Sequence, residues 1–402
     1  MKNKILSGLL IVSAIALSSC GSGSSKHASF NKTDQFEINE DSVNELKAKL
    51  DECSKETVIA MDNFSATLVG KDINVDQKEE TKEKDYSTEE IKTSSTSIKF
   101  SNLNFNVNLG SKGIYTAKEA KEFMAYAELS EITGSLRVTS KQNDEKEKSG
   151  SYKLDSNTAE FYHYDAKEYI HMSAGFKSTV FGIAKKMADE DNALSITAAE
   201  AMIPKNGKFC ISGLFSENTK YPLSEMPDEN YHSNTFDFID VEGLLKLQNA
   251  ALENGYELED LISFKVTSDK SHYLALQMEI DKQGLENIKD LTAKTGEDMV
   301  ELPLDINTSA SEINNYKMTV EYDAKKRLSY ATIILDGLNV SDEEDLDEYS
   351  TYASSTWIKD SNINLELTMD YKANPAKKIP NVKELEAYTE YDLATFLNGF
   401  TL

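Results

Sequence analysis

Asn102-Leu103-Asn104-Phe105-Asn106-Val107-Asn108-Leu109 decides the fold. Leu103, Phe105, Val107 and Leu109 point one way, and the four asparagines point the other. Alternation with period two means a strand with one wet face and one buried face. Just upstream, Ile98 and Phe100 stand in the opposite phase, which predicts a bulge near Ser101.

The same signature recurs on both sides. Phe64, Ala66 and Leu68 alternate with Ser65, Thr67 and Val69, and Ile132 to Ser140 reads as a further strand. Leu274, Leu276, Met278 and Ile280 alternate again. Near the end, Tyr316, Met318, Val320 and Tyr322 lead to Asp323-Ala324-Lys325-Lys326, Leu328 to Leu338 returns, and Ile363, Leu365, Leu367, Met369 and Tyr371 follow. These predict three consecutive antiparallel strands. Gly207 to Phe215 reads as a short strand, and Glu160–Tyr164 with Glu168–Met172 around Asp165-Ala166-Lys167 predicts a hairpin.

Helices are fewer. Val43, Leu46, Leu50 and Cys53 recur at helical spacing after a cap at Asp41 or Ser42, with Glu45 three residues beyond Ser42. Phe176, Val180, Phe181, Ala184 and Met187 make a second stripe. Leu244, Leu245, Gln248, Ala251 and Leu252 make a third, ended by Gly255. A fourth carries Leu285, Ile288 and Leu291 before Gly296, and a closing helix is predicted over Val382–Leu397. Charged spans at 77–90, 142–148 and 342–348 read as surface connections.

The N-terminus gives an address. Lys2 and Lys4 precede an apolar run from Ile5 to Ala16, and Leu17-Ser18-Ser19-Cys20 follows. The run is shorter than the roughly 20 residues that cross a bilayer, so it reads as a signal peptide. Its ending resembles the lipobox of bacterial lipoproteins, which implies acylation of the Cys20 thiol and cleavage just before it. Residues 1–19 are then the signal peptide, 20–40 a flexible tether rich in Gly, Ser, Lys and Asn, and 41–402 a single α+β domain. The protein is expected on the extracytoplasmic face of the cell membrane, held by lipid; each buried CH₂ contributes about 0.8 kcal/mol to that hold.

The charge excludes some partners. Removing residues 1–19 takes two lysines from a net charge of −26, leaving about −28. Such a surface repels nucleic acid, so no nucleic-acid partner is expected. Arg137 and Arg327 are the only arginines, which leaves little for a bidentate phosphate clamp. Cys53 and Cys210 are read as buried free thiols, with a disulfide left open.

The lipobox, the N-terminal helix, the long antiparallel strands, the mid-chain helices and the closing meander together resemble the bacterial lipoproteins with a LolA/LppX-like fold. Asn315-Tyr316-Lys317-Met318-Thr319-Val320-Glu321-Tyr322-Asp323, with Arg327-Leu328-Ser329-Tyr330, is similar to their late hairpin. The resemblance implies an α+β fold with a large curved antiparallel sheet, half-barrel-like, and a few helices packed on or inside its concave face. It also implies an apolar cavity for acyl chains, for which Phe176, Val180, Phe181, Ala184, Met187, Leu244, Leu245 and Leu252 are the candidate lining. Plain core is the competing reading of each.

Chemistry is sparse. There is no Gly-x-Ser-x-Gly elbow, His-Glu-x-x-His pair, phosphate loop or dinucleotide fingerprint. The histidines are His27, His163, His171, His232 and His272. Pairing Tyr164 with Tyr169 across the predicted turn puts His163 and His171 on opposite faces, which speaks against a shared zinc. Asp342–Glu348 and Asp360–Asn364 lack the glycine of a calcium loop. No catalytic residue, metal or cofactor is expected. The sequence leaves two functions: binding or carrying a lipid or other apolar ligand, or a surface interaction protein with a patch among Tyr349, Tyr352, Tyr388 and Tyr391 whose protein partner is unknown.

Overall fold

The computed structural model describes residues 27–84, 90–143, 146–187, 190–213, 239–296, 301–302, 306–307, 311–343 and 352–394, with the single positions Pro222 and Ser224. The elements begin with α1 (Glu40–Ala60), β1 (Asn63–Lys84), β2 (Ile91–Lys112), β3 (Met124–Gln142), β4 (Lys148–Tyr164) and β5 (Lys167–Met172). Next come α2 (Ala174–Met187), α3 (Glu190–Met202), β6 (Lys208–Ser212), α4 (Val241–Glu253), β7 (Ser263–Thr267), β8 (His272–Asp281) and α5 (Lys282–Thr295). The short strands β9 (Glu301–Leu302), β10 (Ile306–Asn307) and β11 (Ser311–Glu312) lead to β12 (Asn315–Asp323), β13 (Leu328–Asp342), β14 (Tyr352–Asp370), α6 (Val382–Leu385) and β15 (Thr389–Asp392).

One sheet of 13 strands runs in the order β15-β6-β5-β4-β3-β2-β1-β14-β13-β12-β8-β7, with β11 beside β13. Its neighbours pair antiparallel except β15 and β6, which run parallel. The sheet is curved and open, with β7 and β15 at its edges. This is the α+β architecture that the sequence predicts, and β12, β13 and β14 are the predicted meander.

The bending has a local cause. Asp72 on β1, Asn102 on β2, Glu131 on β3 and Asp360 on β14 have positive φ of 50°, 50°, 55° and 42°, and Gly337 on β13 has 64°. The pairing registers shift at these positions. One extra residue per strand reverses which parity faces the core. So β2 buries Phe105 and Val107 below the shift and turns Phe100 and Ile98 inward above it. The predicted bulge near Ser101 is one station of a crease crossing five strands.

Helices cover the inner face. Val43, Leu46, Leu50 and Cys53 of α1 join Leu244, Leu247 and Ala251 of α4 and Leu285, Ile288 and Leu291 of α5 in one core. That core also takes Leu276, Met278 and Ile280 of β8 and Tyr316, Met318 and Val320 of β12. At the other end, α2 packs along β4 and against α3. Gly296 closes α5 in the left-handed conformation, as its position predicts.

Several expectations need correction. Asn39, not Asp41 or Ser42, caps α1: its Oδ1 accepts the Ser42 N–H at 3.0 Å, while Ser42 Oγ accepts the Asn39 N–H at 3.0 Å. The span 77–84 is strand, because β2 and β14 pair with it on both flanks although neither face is apolar. The closing helix stops at Leu385, where Tyr388 buries edge-on to Tyr169 at a centroid distance of 5.4 Å and the chain joins β6 as β15. The amphipathic signal of α3 is weak, and the sequence reading missed it. Residues 27–39 are no free tether: Phe36 N–H donates to Phe264 O at 2.9 Å, Gln35 bridges Lys265, and Ile38 is buried. Residues 20–26 lie outside the described residues, as does Cys20.

Candidate functional site

The inner face is not evenly covered. Met369, Ala66, Leu109, Ala127, Phe161, Ile170 and Phe209 stand in register across β14, β1, β2, β3, β4, β5 and β6. Ala66 and Phe209 at the flanks are buried. Leu109, Ala127 and Ile170 between them are half-buried, and Phe161 is 37% exposed. Leu129 and Ala159 in the next row are half-buried too. Among the described residues, an apolar stretch thus lies open between the cover given by α1 and that given by α2 and α3.

The structure scatters the candidate cavity residues. Phe176 of α2 packs against the main core, whereas Phe181 joins a separate cluster with Ile203, Phe209 and Ile211. Val180 is 41% exposed and Ala184 half-buried, and the Met187 side chain lies outside the described residues. Leu244 is buried, Leu245 packs at the margin of the core, and Leu252 is 57% exposed. On α4 the buried stripe runs through Val241, Leu244, Leu247 and Ala251, so Leu247 stands where the expected stripe had Gln248. Gly182 lets α2 approach β4: a Cβ there would lie 3.0 Å from the Tyr152 ring. Of the candidate set, Val180 is the apolar side chain exposed on α2, the helix packed along β4, which carries Phe161.

A hollow elsewhere on the sheet has different chemistry. About 380 Å³ opens at the crease among Asn74, Asp76, Lys99, Ser101, Asp360 and Asn362. Lys99 pairs with Asp76. Amides and charges form most of its wall, beside Val75 and Phe100. That lining suits a polar group and not an acyl chain.

The sheet histidines are each tied to a carboxylate, which sequence reading missed. His163 Nδ1 lies 2.5 Å from Glu168 Oε1, and both side chains are buried. His171 Nδ1 lies 2.5 Å from Glu160 Oε2. His272 Nδ1 lies 3.0 Å from Asp269 and its Nε2 3.4 Å from Glu321. A carboxylate beside imidazole is the orienting half of a hydrolytic triad. Here the other nitrogen of His163 faces Ala120 O at 3.4 Å and that of His272 faces Glu321, so neither is poised as a base. His163 and His171 do fall on opposite faces, although the turn is tighter than expected: Asp165 and Ala166, with φ of 51° and 58°, make a two-residue loop that pairs Tyr164 with Lys167. His232 lies outside the described residues.

The expected tyrosine patch disperses. Tyr388 is buried, and the Tyr391 hydroxyl donates to Met202 O at 2.8 Å. Tyr352 is exposed, and Tyr349 lies outside the described residues. Cys53 and Cys210 are free and buried in different clusters.

No family model and no curated protein matches the chain. Among solved structures it is similar to a beta-barrel-like protein of a domain of unknown function, DUF1849, from Brucella abortus. The identity is 8%, the match covers 74% of this chain and 97% of that one, and the TM-score is 0.13. It is also similar to a DUF1329 family protein from Desulfovibrio piger ATCC 29098, at 8% identity, 84% and 98% coverage and a TM-score of 0.10. At these scores neither likeness carries an argument.

Proposed function

We propose that this chain is a membrane-anchored extracytoplasmic lipoprotein that binds an apolar or amphipathic ligand, such as a lipid, on the open part of its curved sheet. It is not an enzyme in this reading. The anchor is the acylated thiol of Cys20. One observation carries the ligand class: Leu109, Ala127, Phe161 and Ile170 stand in register on the core face of four adjacent strands and stay half open. Water contact at such a row is unfavourable by about 25 cal/mol for each Å² of apolar surface, so an acyl chain laid across it gains what the helices leave unclaimed. The LolA/LppX-like resemblance points to the same ligand class.

Native mass spectrometry of the chain released from membranes tests this. Bound acyl lipid is expected, and Phe161→Asp should abolish it while thermal stability changes little. A chain recovered without lipid that also leaves a fluorescent fatty acid unbound would overturn the ligand; the surface interaction protein would then be the better reading.

A further inference from the structure

The segment at His27 is fastened to the outer face of the sheet. On β12, Tyr316, Met318, Val320 and Tyr322 face the core, so Glu321 belongs to the outer face, yet it is 1% exposed. His27 and Ala28 lie over it. Glu321 Oε1 accepts the Ala28 N–H at 3.1 Å, and Oε2 stands 3.4 Å from both His27 Nδ1 and His272 Nε2. The His27 ring rests on Tyr330 of β13 at a centroid distance of 3.9 Å. A buried carboxylate held this way is a fixed attachment point and no surface accident.

That point lies at one end of the sheet. Asp323 at the end of β12 pairs with His272 at the start of β8. The turns beyond them are 268–271 and 324–327. Seven peptide steps separate Cys20 from His27, and seven extended residues reach at most about 25 Å. Strand β1 alone has 22 residues, which is about 70 Å of strand. An anchor at Cys20 therefore reaches one end of the sheet and not the other.

The charge at this end fits the same neighbour. The chain is strongly acidic as a whole, but here cations stand among the acids: Asp323 pairs with Arg327 at 2.5 Å and Glu52 with Lys326 at 2.7 Å. Lys270 and Lys325 project from the two turns, both exposed. Lysines held near a bilayer draw anionic headgroups.

We propose that the end of the sheet carrying the turns 268–271 and 324–327 is the surface this protein turns toward the bilayer that holds Cys20, with Glu321 clasping the N-terminal segment to keep it there. The inference rests on the lipid-anchor reading above.

The test uses the full lipidated chain in vesicles of one part phosphatidylglycerol to three parts phosphatidylcholine containing an acceptor-labelled lipid. A donor dye goes on Lys325→Cys or, at the far end, on Lys92→Cys. The buried Cys53 and Cys210 do not compete for it. Energy transfer at position 325 should exceed that at position 92 several-fold. Ala28→Pro removes the donor to Glu321, and Glu321→Ala removes the clasp itself. Either frees the chain as far as Gln35, fifteen steps from Cys20 and about 50 Å of reach, so transfer at 325 should fall by half or more. Equal or reversed transfer at the two positions, or no change in both variants, would overturn the orientation. Flotation and intact mass of the wild type separate the two readings: an acylated, floating chain with equal transfer sinks only the orientation, whereas an unacylated chain sinks the anchor and this inference with it.

Discussion

Asn74 of β1 and Asn104 of β2 each hold the other's strand at the crease. Asn104 Oδ1 accepts the Asp72 N–H at 2.9 Å, and Asn74 Oδ1 accepts the Asn102 N–H at 2.9 Å. Each amide nitrogen then donates back to the carbonyl of the positive-φ residue on its own strand, Asp72 and Asn102. Asn339 and Asn362 repeat the device on β13 and β14, serving Asp360 and Gly337. A bulge frees backbone groups from the ladder, and the asparagine two residues on satisfies them. The bend is thus written as an Asp/Asn/Gly-x-Asn spacing on four strands.

Replacing one clasp should loosen that bend. Asn74→Ala removes an acceptor for one backbone N–H and a donor to one carbonyl, both partly open to water. A loss of about 1–2 kcal/mol is expected, and the same for Asn104→Ala. Because the two residues serve one crease, the double variant should lose less than the sum of the singles. Chemical denaturation of the three variants measures it, and strict additivity would show that the clasps act separately.

The thiols give a second expectation. Burial pushes the Cys53 thiol up to about 12, and burial also raises that of Cys210. A thiolate is the reactive form, so neither should react with an aromatic disulfide reagent at pH 8 in the folded protein. Both should react fully in guanidinium. Rapid labelling of the folded chain would contradict the burial, and labelling absent even after unfolding would reveal a disulfide.

Asp269 makes acid sensitivity specific. The backbone N–H of Ser271 donates to its carboxylate at 2.6 Å, and the His272 ring and N–H add to this, so its pKa falls from an ordinary 3.8 to about 2. An acid with a lowered folded pKa lends stability that is complete above its unfolded value and is lost as pH falls to the folded one. The melting difference between wild type and Asp269→Asn should therefore be constant at neutral pH and shrink between about pH 4 and about pH 2. A difference that persists unchanged to pH 2 would assign the Asp269 contribution to shape and not to charge.

Legibility followed the core. Strands that bury one face announced themselves: Leu103, Phe105, Val107 and Leu109 did, as did Tyr316 to Tyr322. The bulge near Ser101 was legible because the inward phase flips there. The arm from Gln77 to Lys84 was not, since its residues are polar on both sides and ladders to β2 and β14 hold them extended without an apolar face. The closing helix failed for a related reason: burial of Tyr388 beside Tyr169 and parallel pairing with β6 outweigh local helix preference. Of the candidate site, α2 and α4 stand where the sequence places them, but which of their residues meet the sheet depends on a rotation of a fraction of a turn that the stripes do not fix: Leu247 is buried where Gln248 was expected. From sequence Phe161 is legible only as a hairpin residue, because its exposure depends on what α1 and α2 leave uncovered. The contact of His27 with Glu321 joins residues 294 apart, and no local pattern encodes it.

The pair His163 and Glu168 offers the sharpest separation of polar pairing from packing. They face each other across the β4–β5 hairpin, 2.5 Å apart and both buried, with Phe123 against the imidazole at a centroid distance of 4.9 Å. Glu168 Oε2 has no hydrogen-bond partner among the described residues. Among the described residues the buried Glu168 carboxyl leans on His163. His163→Ala strips that partner, leaves a buried carboxyl unsatisfied and opens a void beside Phe123, so a loss of about 3–5 kcal/mol is expected. Replacing both by apolar side chains of similar size, His163→Phe with Glu168→Met, removes the polar group together with its need for a partner. That double variant should lose clearly less than His163→Ala alone, because the site is then simply packed. Urea denaturation at unchanged m-value compares them. A double variant at least as unstable as the single one would mean that the His163–Glu168 contact itself, and not the avoidance of a lone buried polar group, holds this corner of the sheet.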